Sequence, residues 1–177
     1  MDAFHRILSR RELPEVDLTK GRSIAYSRST TSRIMEMLDA NGHGNVHGGV
    51  IMRMVDEAAA IVAIKHSQRP VVTVRVDRFD FLAPAYIGNV LYIHSALDYV
   101  GRTSMEVRVE VKTEDLITGE VRHIASSQLI FVALDATGKP TGVPPLEPAD
   151  DEERAIIERA IRRRERAKKI EQELKDL

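Results

Sequence analysis

One segment constrains this chain more than any other: GGVIMRMVDEAAAIVAIKHS, residues 48–67. It is long, rich in alanine and methionine, and apolar over most of its circumference, which describes a buried helix rather than an amphipathic surface one. A helix with so little polar face has to be covered, and the residues after it can cover it. VVTVRVDRFDFLAP (71–84) alternates apolar and polar residues with a period of two and stops at Pro84. Residues 88–140 read as three further strands, broken at VGRTS with Gly101 and at DLITGE with Gly119, and closed by Gly138 and Pro140. Consecutive strands joined by short turns favour an antiparallel meander over βαβ units. Ahead of the helix, the β-branched and polar run RSIAYSRSTTSRIMEML (22–38) predicts one more strand. The expected order is strand, long helix, four strands: an α+β fold whose sheet curls around the helix.

The chain has 177 residues, the size of one ordinary domain with an appended element. We expect an arm over residues 1–20, a domain over 21–148 and a charged helix over 149–177. The boundary falls at the proline-rich TGVPPLEP, and the tail beyond it holds nine acidic and nine basic residues. Its acids Asp150, Asp151, Glu152 and Glu153 stand at the start, as the helix dipole prefers. Glu158–Arg162, Glu165–Lys169 and Glu171–Lys175 have the favourable i,i+4 order, and an apolar stripe from Ile156 to Leu177 is broken by Arg163. A net charge of −1 lacks the electrostatic footprint of a nucleic-acid binder. The absence of cysteine removes disulfides, thiolate metal sites and a cysteine nucleophile. No apolar run has the length of a signal peptide core or a membrane span, which predicts a cytoplasmic protein with no membrane partner.

The chemistry concentrates in DANGHGNVHGGVIMRMVDE, residues 39–57. His43 and His47 are four apart, but the glycines around them oppose a helix there and no zincin glutamate follows His43, so no metal is expected. Gly42, Gly44, Gly48 and Gly49 match neither phosphate-loop pattern. What remains is general: Gly48 and Gly49 stand where a helix begins, so unpaired N–H groups point outward and a carbonyl oxygen can approach closely. That is the architecture of an oxyanion hole. Eight residues on, roughly 12 Å along a helix, stands Asp56. Adjacent Glu57 can pair with Arg53, whereas Asp56 has no such local partner and its helical neighbours are small or apolar. Two readings stay open: a poorly solvated carboxylate with a raised pKa, suited to general-base work, or an aspartate that caps a loop or bridges subunits.

These segments, together with FLAPAYIGN, TSMEVRVEV and GKPTGVPPLEP, resemble the acyl-CoA thioesterases of the hotdog superfamily, most closely the cytosolic acyl-CoA hydrolases. The similarity runs from Arg22 to Pro148. It implies a curved antiparallel sheet around one helix, paired hotdog domains with active sites at their interface, and hydrolysis of an acyl-CoA thioester to a free acid and coenzyme A. For a single-hotdog chain it implies a homodimer with two composite sites, each taking Asn41 from one protomer and Asp56 from the other, assembled further as a trimer of dimers. Asp56 would act as general base on water, with direct carboxylate attack the less favoured variant. Asn41 would orient that water or the thioester, and the N–H groups near Gly48 and Gly49 would hold the oxyanion. His47 would shape the loop or polarise the carbonyl; its plainer reading is a histidine hydrogen-bonded to backbone. The turn GRTS places Arg102, Thr103 and Ser104 as coenzyme A contacts, with Arg69 and Arg78 weaker candidates and Phe79 or Phe81 lining the acyl tunnel. No cofactor is implied beyond coenzyme A itself, as part of substrate and product.

Two alternatives were weighed. A hotdog dehydratase or hydratase needs a catalytic histidine paired with a carboxylate, in a loop that usually carries prolines, and GNVHGG has none. A non-catalytic acyl-CoA-binding protein would not need Asn41 and Asp56 together.

Overall fold

The computed structural model describes residues 13–175. Helix α1 (Ile24–Ser27) is followed by β1 (Ser29–Ile34), a 3-10 turn (Met37–Asp39) and α2 (Gly48–Ser67); then come β2 (Val71–Phe81), β3 (Val90–Val100), β4 (Ser104–Glu114), β5 (Val121–Ala133) and α3 (Asp151–Lys175). The strands form one antiparallel sheet in the order β1-β3-β4-β5-β2. The expected α+β arrangement, a sheet around one long helix, is the observed one, but the expected meander holds only for β3-β4-β5: β2 crosses over to pair with β5 at the edge.

α2 follows the expected segment to the residue. His47 caps its start and Gln68, in the left-handed region with φ 53°, ends it. Its buried side is Ile51, Met54, Val55, Ala58, Ala59, Val62, Ala63 and His66, and it meets the inward residues Leu91, Ile93 and Leu97 of β3, Met105, Val107, Val109 and Val111 of β4, and Leu129 and Phe131 of β5. Side chains alternate across a strand, so the sheet gives the core one face. The helix is not covered all round: Met52 stays exposed on the flank of Asp56, and Ile61 and Ile64 on the other side of the helix. Beside the Met52–Asp56 flank lies β2, an edge strand whose Val74 and Val76 are also exposed.

The segment expected as one strand over 22–38 is three elements. Ser23 accepts the Tyr26 N–H and starts α1, and strand geometry holds only from Ser29 to Ile34. Local capping outweighs β propensity here, because Ile24 buries itself in a small second core with Ala96 and Ile156.

α3 lies on the outer face of the sheet, opposite α2. The buried Glu153 carboxylate accepts the N–H groups of Ile24 (3.1 Å), Ala25 (2.8 Å) and Ala149 (3.0 Å). Further along, Arg163 and Arg164 both reach Glu106, which is 1% exposed on β4, and the Arg164 guanidinium lies 4.3 Å from the Tyr99 ring centre. Arg163 therefore interrupts the apolar stripe because it meets a buried carboxylate. Ile156 and Ala160 are buried, whereas Ile170 is exposed. Glu158–Arg162 forms at 3.6 Å, as does Arg53–Glu57 on α2 at 3.9 Å. Among the described residues no helix is long and apolar enough to cross a membrane.

Candidate active site

The loop between the 3-10 turn and α2 is held by its own asparagine. The Asn41 side-chain Oδ1 accepts the N–H groups of His43 (2.8 Å) and Asn45 (3.2 Å), while its backbone N–H donates to Asn45 O (2.7 Å) and its carbonyl accepts from Gly44 N (3.1 Å). That last turn puts Gly44 at φ 82°, where a side chain would be strained. Two N–H donors on one oxygen fix the orientation of the amide. The Asn41 Nδ2 has no hydrogen-bond partner among the described residues, so this side chain offers a ligand a donor and no acceptor.

Asn41 and Gly48 line a cavity of about 330 Å³ together with Asn45, Val46, Ile51 and Phe81. A β-carbon on Gly48 would sit 3.2 Å from the Phe81 ring, so glycine lets this ring close over the helix start. One expectation needs correcting. Both glycine N–H groups were to face the ligand, but the Gly49 N–H donates to His47 Nδ1 (2.9 Å), leaving the Gly48 N–H as the donor at this helix start. A histidine at the N-cap position reaches two residues forward, as capping side chains do. His47 is thus a backbone-bonded histidine that shapes the loop, and no carboxylate contacts it among the described residues.

Asp56 lacks a partner on its own helix, as expected, and finds one on β2. It is half-buried, and Thr73 Oγ1 donates to its Oδ1 at 2.6 Å. Sequence reasoning passed over Thr73. The available signal was phase: Val71 packs against the core, and Thr73, two residues on, shares its face of β2 and so looks back at α2. Asp56 is not among the residues lining the cavity of Asn41 and Gly48; it lies two turns further along α2, on the flank that faces the edge strand β2.

The turn Gly101–Ser104 lies at the far end of the sheet. β3 runs from Val90 beside the Asn41 loop to Val100, and β4 returns. Arg102 is exposed, and the Arg102 and Thr103 carbonyls accept from Val143 N (3.1 Å) and Ala133 N (3.0 Å), while Gly101 N donates to Ser104 O (2.8 Å). Arg69 binds the Pro14 carbonyl (2.7 Å) and Arg78 pairs with Asp80, so each has an ordinary structural partner. Phe81 lines the cavity, while Phe79 packs against the core with its ring 4.7 Å from that of Phe81.

With this geometry in hand, comparison with known proteins is informative. Residues 43–120 match the model of the thioesterase superfamily. Over 152 residues the chain is 39% identical to the uncharacterized acyl-CoA thioester hydrolase YkhA of Bacillus subtilis, covering 86% of each. It is 37% identical to the human cytosolic acyl coenzyme A thioester hydrolase over 149 residues, 80% of this chain but 38% of the human one. A hexameric acyl-CoA thioesterase superposes with a TM-score of 0.80 at 38% identity, covering 85% of this chain and 96% of that one. The acyl-CoA hydrolase of Staphylococcus aureus, solved with butyryl coenzyme A, coenzyme A and coenzyme A disulfide, gives 0.78 at 38% identity over 89% of this chain and 96% of that one. The S. aureus enzyme has also been solved with an aspartate, an asparagine and a threonine each replaced by alanine. This chain therefore belongs to the acyl-CoA thioester hydrolases of the hotdog-fold thioesterase superfamily.

Proposed function

We propose that this acyl-CoA thioester hydrolase completes its site with a second copy of itself, Asp56 serving as general base on water. The observation that carries the reading is the separation just described: Asn41 and Gly48 share a cavity, and the Asp56–Thr73 pair stands outside it, beside an unpaired edge strand. Joining β2 to β2 of a second copy about a two-fold axis near Val76 runs the two strands antiparallel. The start of one strand, with Thr73 and the nearby Asp56, then comes beside the end of the other, where Phe81 and Gly48 stand. The same axis carries the turn of Arg102, Thr103 and Ser104 toward the partner's cavity, where these residues would meet coenzyme A. It also covers Met52, Val74 and Val76, exposed apolar side chains on the Asp56 flank of α2 and on the edge strand that would otherwise invite aggregation.

Spacing adds support. In the S. aureus hydrolase the replaced asparagine lies fifteen residues before the replaced aspartate, and the replaced threonine seventeen after it. Asn41, Asp56 and Thr73 are separated by the same intervals. Relatives described as hexameric favour a trimer of such dimers.

In the reaction, Asp56 of the partner subunit takes a proton from water as the water oxygen attacks the thioester carbonyl carbon. The oxygen that becomes negative accepts from Asn41 Nδ2 and the Gly48 N–H. Collapse breaks the C–S bond, and the proton held by Asp56 passes to the sulfur of coenzyme A. Thr73 holds the carboxylate by Oδ1, leaving Oδ2 to the water. No cofactor enters these steps. A dehydratase reading lacks its histidine–carboxylate pair, because His47 spends Nδ1 on the helix start.

The test is thiol release from acyl-CoAs of several chain lengths, beside Asp56→Asn. Absence of free coenzyme A at every length defeats the hydrolase reading, and full turnover by Asp56→Asn defeats the base assignment. Mixing Asn41→Ala with Asp56→Ala protomers should regenerate a fraction of sites; no recovery despite proven subunit exchange removes the composite site.

A further inference from the structure

The stretch that carries the catalytic loop begins with an aspartate to which nothing so far assigns a task. Asp39 is 5% exposed. Its carboxylate is gripped by Arg33 of β1, whose Nη2 reaches Oδ1 at 2.7 Å and Oδ2 at 2.5 Å, and it also accepts the Glu36 N–H at 2.8 Å. Its backbone carbonyl accepts the His47 N–H at 2.7 Å. Ala40 then bridges to Val46, and Asn41 N donates to Asn45 O, so each rung of the loop follows from the one before. At the other end Arg33 Nη1 touches the Met54 sulfur at 3.9 Å, two residues before Asp56 on α2. Burial alone would raise the Asp39 pKa; the Glu36 N–H and the Arg33 guanidinium outweigh it, holding the carboxyl below its ordinary value.

We propose that the Arg33–Asp39 pair is the positioning device of the active site: it ties the loop bearing Asn41 and His47 to β1 and to the body of α2. The inference rests on Asn41 being the oxyanion donor proposed above. The reason is geometric. A ligand contact through Asn41 Nδ2 needs the amide placed to within a fraction of an ångström, since misplacement by 1 Å can cost about a hundredfold in rate. The bonds of Asn41 fix its amide within the loop, but the loop is glycine-rich and largely exposed, so they do not place it relative to the sheet and α2. The anchor lies at the root of the loop: a buried carboxylate that accepts three hydrogen bonds from two donors, with a further donor on its own backbone carbonyl. Arg33 suits the task because one nitrogen of its planar group, Nη2, spans both carboxylate oxygens while Nη1 reaches the Met54 sulfur. Neither residue lines the cavity of Asn41 and Gly48, so both act through the loop without touching substrate.

The experiment compares wild type with Asp39→Ala, Asp39→Asn and Arg33→Met in the full-length assembled enzyme. It measures kcat and KM for one acyl-CoA, hydrogen exchange by peptide, and melting temperature. Positioning predicts that Asp39→Ala and Arg33→Met lose tenfold or more in kcat with KM within threefold, and that amide exchange accelerates over residues 39–50 while peptides of β4 and β5 stay protected. Asp39→Asn keeps one acceptor oxygen, able to take Arg33 and the Glu36 N–H, but sets an amide NH2 against Arg33 Nη2, so it should fall between wild type and Asp39→Ala in both kcat and exchange. The proposal is overturned if Asp39→Ala keeps kcat within twofold, if exchange over 39–50 is unchanged, or if exchange rises equally across β4 and β5, which would mark plain destabilisation. Failure of the parent reading is distinguishable on Asn41→Asp, which would then turn over at the wild-type rate whatever Asp39→Ala does.

Discussion

Replacing Asn41 with aspartate separates two jobs that one side chain performs. The loop job uses Oδ1, which accepts from His43 N at 2.8 Å and Asn45 N at 3.2 Å, and a carboxylate of the same shape keeps that acceptor. The catalytic job uses the Nδ2 donor, which the substitution turns into an oxygen. An oxyanion hole reduced to the Gly48 N–H loses one donor, worth about 10²–10³ in kcat, or roughly 2.7–4 kcal/mol of transition-state stabilisation. Charge repulsion between a carboxylate and the oxyanion pushes toward the upper end. KM should move little, because the lost interaction strengthens mainly as charge develops. The assay is thiol release at saturating acyl-CoA, with a thermal melt beside it. Asn41→Asp should melt within about 2 °C of wild type and turn over at least a hundredfold more slowly. Asn41→Ala should also melt lower, because two loop hydrogen bonds of about 1 kcal/mol each disappear and a domain of this size shifts about 2–4 °C per kcal/mol. Asn41→Asp turning over within threefold of wild type would refute the donor role and reduce Asn41 to a peg for the loop.

Thr73→Val should leave the fold intact and slow kcat by about tenfold, because the Asp56 carboxylate loses its 2.6 Å anchor; the same thiol-release assay reads it. Val76→Lys at the centre of β2 should break the assembly into smaller species by sedimentation or light scattering and abolish turnover with it, since β2 is the proposed dimer edge. Arg163→Ala together with Arg164→Ala leaves the buried Glu106 carboxylate without its partners, which should lower stability by about 3 kcal/mol in denaturant titration. His66 is wholly buried with Nε2 on the Pro144 carbonyl at 2.9 Å and Arg22 donating to its own carbonyl; burial lowers its pKa. Folded and unfolded states are both neutral there above about pH 6.5. As pH falls below that value the unfolded chain binds the proton first, so wild-type stability should fall by up to about 1.4 kcal/mol per pH unit, and His66→Phe should flatten that slope.

The helix at 48–67 and the strands after it were legible because a period of two and an unbroken apolar run are local signals. Asn41, Asp56 and the glycines could be picked out for the same reason. Thr73 was not, because its pairing with Asp56 depends on where an edge strand packs against a helix seventeen residues back. The Gly49 N–H was misjudged because a side chain two residues away competes for it, which composition cannot reveal. The failure over 22–38 has a similar origin: Ile24 leaves the strand for a pocket formed with Ile156, more than a hundred positions later.

Glu153 ties the first helix of the domain to the last, across 129 residues from Ile24. On the ribosome this makes α1 wait. At about 5–20 residues per second, some 6–26 s separate the synthesis of its N–H groups from that of the carboxylate that receives them. At the end of that interval, once β5 has been made, both edges of the sheet can form while the outer face of β3 around Ala96 still has neither Ile156 nor Glu153 to cover it. A stop codon just after Pro148 would hold the chain in that half-covered state permanently, so a truncation that spares every residue of the site should still be handled by the cell as a nascent chain.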